Sequence, residues 1–179
     1  MVQNLTAKEI EGDGMRPGPD GIYWAEAPYM FKHGKCYYLF VNWYMCCKLE
    51  AFYEIRVCRS TSPTEGFVNH KGKSCLDGHG KLVKDRKGPG STSVGPGHAS
   101  IFEYNHEEGD VFVFSNHYYR PDWHVGLIWM SFVEHHILEW KEGWPEIKGE
   151  RWNPMHFWNR NGQTTQVPPT TGLTFVVLQ

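Results

Sequence analysis

The feature that most constrains this chain is that it repeats itself. Placing Glu26 on His98 brings Tyr29-Met30 against Ile101-Phe102, and Tyr38-Leu39-Phe40-Val41 against Val111-Phe112-Val113-Phe114. The runs that follow, residues 53–60 and 126–133, correspond as well. A period of roughly 70 residues with four strand-like runs in each copy is the pattern of a propeller blade followed by a long connection. Two such blades fit in a chain of 179 residues.

The first set of runs covers 26–32, 36–43, 52–59 with alternating Tyr53, Ile55 and Val57, and a short one near Phe67-Val68. Turns separate them at His33-Gly34-Lys35 and around Ser62-Pro63-Thr64-Glu65-Gly66. Residues 69–97 read as a long connection with a short strand at Lys81-Leu82-Val83. The second set covers 98–104, 111–118 and 126–132 and closes near Trp144-Pro145-Glu146-Ile147. No helical periodicity of useful length occurs, so the expected class is all-β. Residues 1–21, rich in Gly and Pro, read as a flexible lead-in. Residues 148–179 fit no blade and read as a C-terminal extension, in which Trp152, Phe157 and Trp158 can cap an open edge and Leu173–Leu178 can form a strand.

Charge excludes one class of partner. A net charge of −2 and a pI near 6.5 lack the basic excess that a nucleic-acid surface needs. No apolar run approaches the roughly 20 residues that span a bilayer. Aromatics are abundant, with 8 Trp, 9 Tyr and 10 Phe. Their faces stack on the apolar faces of sugars, though they also fill β-sheet cores. The five cysteines are an odd number without zinc-type spacing. Adjacent Cys46 and Cys47 form either a vicinal disulfide or two buried thiols. Met1–Thr6 lacks the basic and apolar regions of a signal peptide, which points to an intracellular protein or to a chain without its true start.

The stretch Trp24–Phe40 carries the first candidate for chemistry. It sets one carboxylate, Glu26, among Trp24, Tyr29 and Phe31. An apolar collar disfavours the charged form, and a carboxyl kept protonated near neutral pH can donate a proton. The alternative is a strand-edge Glu facing solvent. The second candidate is His98 in Gly95-Pro96-Gly97-His98, where glycines let the backbone bend and present the ring at a strand start. Its alternative is a hydrogen-bonded edge His. Arg56 and Arg59 read as sugar contacts or as surface strand arginines, and His135-His136 as a solvated turn.

Glu26-Ala27-Pro28-Tyr29-Met30-Phe31-Lys32-His33-Gly34-Lys35, with Tyr37-Tyr38-Leu39-Phe40-Val41, resembles the general-acid strand of glycoside hydrolase family 43, the arabinanase and arabinofuranosidase group. The likeness continues through Cys46-Cys47-Lys48, Tyr53–Pro63, Gly95–His98 and His117-Tyr118-Tyr119 to Gly143-Trp144-Pro145, roughly residues 22–147. It implies part of a five-bladed β-propeller and an inverting, arabinan-directed glycosidase with a polysaccharide or oligosaccharide substrate. It also implies Glu26 as general acid, with Trp24, Tyr29, His117 and Tyr118 as substrate contacts. His98 would face the central channel near a calcium ion, partly through water, because calcium prefers oxygen donors. An extracellular location is expected from the family.

Two departures stand out. Arg120-Pro121-Asp122 and Trp43-Tyr44-Met45 replace family patterns. The family's two catalytic Asp residues precede the acid strand, and neither Asp13 nor Asp20 has their Asp-Pro context. The resemblance is therefore to a C-terminal portion that lacks the base, and the alternative is a non-catalytic, sugar-binding remnant of the same propeller.

Overall fold

A computed structural model of the chain describes residues 24–44, 46, 53–85, 94–106, 109–125, 128–148, 156–158 and 164–166. Strands β1 (Ala25–His33), β2 (Cys36–Trp43), β3 (Glu54–Ser60) and β4 (Lys81–Lys84) form one four-stranded antiparallel sheet in sequence order. Strands β5 (Val94–His106), β6 (Gly109–Val125), β7 (Ile128–Lys141) and β8 (Trp144–Lys148) form a second in the same order. These are the two expected blades. A short pair, β9 (His156–Trp158) with β10 (Thr164–Gln166), lies in the C-terminal segment. The run Leu173–Leu178 falls outside the described residues.

Alternation drives the strands. In β2, Tyr38 and Phe40 are buried between half-buried Tyr37, Leu39 and Val41, the period-2 pattern of a sheet with one covered face, and both Asn42 and Trp43 are buried at its end. The two sheets then bury those faces together. Tyr38, Phe40, Ile55 and Val57 from the first pack with Ala99, Ile101, Phe114, Leu138 and Trp144 from the second. Each large apolar side chain buried this way contributes roughly 1.5–3 kcal/mol. The repeat offset survives in space. Tyr29 of β1 and Ile101 of β5 lie 72 residues apart, and the Tyr29 hydroxyl donates to the Ile101 carbonyl at 2.7 Å. One residue further on, Met30 and Phe102 are both exposed.

The fourth strand of the first blade is Lys81–Lys84, not Phe67-Val68. Val68 makes only isolated bridges, to Arg59 and Ser74. Its loop is held by a disulfide between Cys58 and Cys75, and by the Asn69 side chain accepting from the amides of Lys71 and Lys73. Cys46 is also disulfide-bonded, Cys47 lies outside the described residues, and Cys36 is a free thiol.

His135 and His136 sit in the middle of β7 rather than in a solvated turn. The reason is a buried ionic cluster. Lys84 of the first blade pairs with Glu134 of the second, and its ammonium lies 2.7 Å from His136 Nε2. Asn116 donates to Glu134 at 3.0 Å. Burial alone would push the Glu134 carboxyl up, but hydrogen bonds from His136 and Lys84, with the Lys84 charge, hold it well below the usual range.

Candidate active site

The first strands of both blades begin with a break in register. In β1 the ladder shifts between Glu26 and Tyr29, and in β5 between Gly97 and Ser100. A β-bulge of this kind bends the strand and re-aims a side chain. Both bulges hold a non-glycine residue at positive φ, Ala27 at 51° and His98 at 53°. Such a conformation costs a residue with a Cβ roughly 1–2 kcal/mol, and strain of this kind gathers at functional sites.

At these bulges Glu26 stands exposed. Its Oε1 accepts a hydrogen bond from the Tyr53 hydroxyl at 2.7 Å. Tyr53 is fully buried. Its ring lies nearly parallel to the His117 imidazole, with centroids 6.1 Å apart and 26° between planes. His117 Nδ1 meets His98 Nδ1 at 3.2 Å, and Tyr119 meets the His117 ring edge-on at 5.3 Å. One blade thus supplies the carboxylate and the buried phenol, and the other supplies two imidazoles and a second phenol.

Electrostatics follow from burial. The Tyr53 phenol is pushed far above its ordinary range by burial, then by its hydrogen bond to Glu26 and the Glu26 charge. Tyr119 is raised by burial and by the same charge. Burial, reinforced by His98, lowers the His117 imidazole to about 4, so it is neutral at physiological pH. Among the described residues no group meets its Nε2.

Close packing makes the arrangement stiff. The Asn42 side chain donates to the Pro96 carbonyl at 3.0 Å and accepts from the His98 amide at 2.9 Å, so β2 of one blade clamps the bulge of the other. A Cβ at Gly97 would lie 2.2 Å from Tyr53 Cε1 and 2.5 Å from His117 Cε1. Only glycine admits both rings.

The expected site residues do not all converge. Glu26, His98 and His117 do. Tyr29 spends its hydroxyl on Ile101, and Phe31 packs on Phe112 and Trp140, so the apolar collar around Glu26 is replaced by the Tyr53 phenol. Trp24 is exposed just ahead of β1, its carbonyl accepting from the Tyr44 amide. Tyr118, on the opposite face of β6 from His117, is buried against Phe132. Arg56 pairs with Glu54 and stacks over Trp43, while Arg59 donates to Gly143, so neither is a free sugar contact. Nothing in the sequence marks Tyr53 or Asn42 as site residues, and Gly97 reads there only as a bend that presents His98. The Gly95-Pro96-Gly97-His98 spacing was the one available signal, and it pointed at the ring of His98.

Calcium needs oxygen donors. Among the described residues no three His, Cys, Asp or Glu side chains gather in a metal-sized group, and His98 Nδ1 faces another imidazole nitrogen.

The profile of Glycosyl hydrolases family 43 matches residues 3–145. The chain belongs to that family. A curated member of related sequence, the probable arabinan endo-1,5-α-L-arabinosidase A of Aspergillus terreus, is 30% identical over 142 residues, covering 75% of this chain and 40% of that protein. Among solved structures, the Cellvibrio cellulosa α-L-arabinanase complexed with arabinohexaose aligns with a TM-score of 0.60 and 28% identity, covering 69% of this chain and 36% of that one. An exo-1,5-α-L-arabinanase from a bovine ruminal metagenomic library aligns with a TM-score of 0.63 and 26% identity, covering 80% and 46%. The chain therefore spans less than half the length of these family 43 proteins. Its two sheets are two blades of the family's β-propeller. The matched range includes Asp13 and Asp20, both outside the described residues.

Proposed function

We propose that this chain carries the acid-bearing blades of an arabinan-directed glycoside hydrolase of inverting type, with Glu26 as general acid. The observation that carries the reading is the exposed Glu26 carboxylate, held by Tyr53 at a strained bulge beside His98 and His117. An inverting reaction needs a second carboxylate about 6.5–9.5 Å from the acid to activate water. The described hydrogen-bonded and stacked group contains one carboxylate, so the base comes from outside it. Names of the relatives supply the substrate class: arabinan, met as polysaccharide or oligosaccharide. Trp24 offers a sugar an exposed ring at the entry to β1, and His117, neutral and stacked on the Tyr53 ring that holds the acid, is a second candidate contact. Calcium takes no part in this reading.

An extracellular location is part of the proposal. The Cys58–Cys75 disulfide supports it, since such bonds persist in oxidising compartments. No described helix is long and apolar enough to cross a membrane.

The single carboxylate favours a second reading, a sugar-binding propeller fragment without turnover. Reducing-sugar release from linear arabinan separates the two. The isolated chain is expected to release none above background, and the chain joined to the N-terminal blades of a relative is expected to hydrolyse. A joined protein that binds arabino-oligosaccharide without cleaving it selects the second reading.

A further inference from the structure

We propose that Tyr53 is a positioning residue for the Glu26 carboxyl, fixing which of its oxygens carries the transferable proton. This rests on Glu26 being the acid. The Tyr53 hydroxyl donates to Oε1 at 2.7 Å, so a proton on the protonated acid is directed to Oε2, the oxygen the phenol does not engage. An exposed glutamate otherwise samples several rotamers, and proton transfer needs one of them. The phenol holds that geometry without being able to exchange roles. It is buried and far too weak an acid to ionise near neutral pH, so it stays a donor.

The anchor for Tyr53 lies in the other blade. Its ring fits against the bare Cα of Gly97 and stacks on His117, with the Asn42 clamp holding the Gly97 segment in place. The orientation of the acid in one blade is thereby set by the packing of the next. A displaced second blade would leave Glu26 present but unaimed.

In this scheme the general-acid step is balanced simply. The proton on Oε2 passes to the glycosidic oxygen as its bond to the anomeric carbon breaks, that bond's electron pair staying on the leaving oxygen. Glu26 becomes a carboxylate with Oε1 still accepting from Tyr53. The phenol neither gains nor loses a proton.

The test is a carbon-13 measurement on the full chain with δ-carbon-labelled glutamate. The Glu26 signal is assigned by its loss in Glu26→Gln. In Tyr53→Phe, which keeps the ring and removes only the hydroxyl, that signal is expected to move to the position and width of the solvent-exposed glutamates. A Glu26 signal unmoved in Tyr53→Phe overturns the proposal, and this holds whether or not the chain hydrolyses arabinan. Turnover is measured alongside. Where it is found, Tyr53→Phe should lower kcat about tenfold and leave KM within about twofold, the loss of one hydrogen bond to a charged group. An unchanged kcat overturns the positioning role and leaves the hydrolase reading standing. Absence of turnover rejects catalysis by the isolated chain, and the carbon-13 result then decides the proposal by itself.

Discussion

The Tyr38 hydroxyl donates to the Gly143 carbonyl at 2.6 Å, joining the second strand of one blade to the last turn of the other. Arg59 donates to the same carbonyl at 2.7 Å and lies over the Trp144 ring at 4.4 Å. Gly143 itself has φ 73° and Arg59 Nη1 would lie 2.7 Å from a Cβ there, so the turn is shaped to receive both donors. This contact carries the first prediction. Tyr38→Phe should cost about 1 kcal/mol, the typical net value of a hydrogen bond, because Arg59 still satisfies the carbonyl. Tyr38→Phe with Arg59→Ala should cost more than the two single changes summed, since it alone removes both protein donors from that carbonyl. Urea unfolding of the four proteins checks this; strict additivity would contradict it.

Buried charge supplies the second. Lys84 reaches from β4 into the cluster of Glu134, His136 and Asn116. Lys84→Met leaves Glu134 buried without its counter-ion, and removal of one partner of such a pair costs roughly 3–5 kcal/mol. Replacing both, Lys84→Met with Glu134→Leu, should recover most of that loss. A double variant no more stable than Lys84→Met would show that the pair is not the source.

The same cluster predicts a pH dependence. The folded carboxyl of Glu134 lies below its ordinary value of 4.5, so the unfolded chain binds more protons as pH falls. Its contribution is present above that ordinary value and is lost progressively below it. Stability measured from pH 7 to pH 3 should fall below about 4.5, and Glu134→Gln should flatten this limb relative to the native chain. An acid limb of unchanged slope in Glu134→Gln would assign it to other carboxylates.

The Cys58–Cys75 disulfide closes a loop with a sequence separation of 17. A loop of this size gives roughly 3 kcal/mol through the unfolded chain. Thermal melts should show a lower Tm for Cys58→Ala with Cys75→Ala, and reductant, which also opens the Cys46 disulfide, should lower the native Tm at least as far. A melt insensitive to reductant, with the double variant as stable as the native chain, would contradict it.

Most of the strand order was legible, because alternation and the repeat carry it. Cys36–Trp43 emerges with its expected bounds since its buried and half-buried residues alternate. Phe67-Val68 misled because two apolar residues in a polar connection look like a strand, whereas Val68 is held in a disulfide-closed loop. His135-His136 misled in the opposite sense, since polar residues inside a strand signal solvent unless a distant partner neutralises them, and Lys84 is 52 residues from His136. At the site, Glu26, His98 and His117 carry recognisable chemistry in the sequence. Tyr53 does not, because its partner lies 27 residues away and its burial depends on a missing Cβ in another blade.

The most direct test of Glu26 as the acid is Glu26→Gln in the chain joined to the N-terminal blades of a related arabinanase. Glutamine keeps the shape and the acceptor for Tyr53 but cannot give up a proton. Removing a general acid costs roughly 10²–10⁴ in rate. Release of reducing sugar from linear arabinan should appear in the joined protein and fall by at least that lower bound in Glu26→Gln, with oligosaccharide affinity retained. Hydrolysis by the joined Glu26→Gln protein at an undiminished rate would contradict the account.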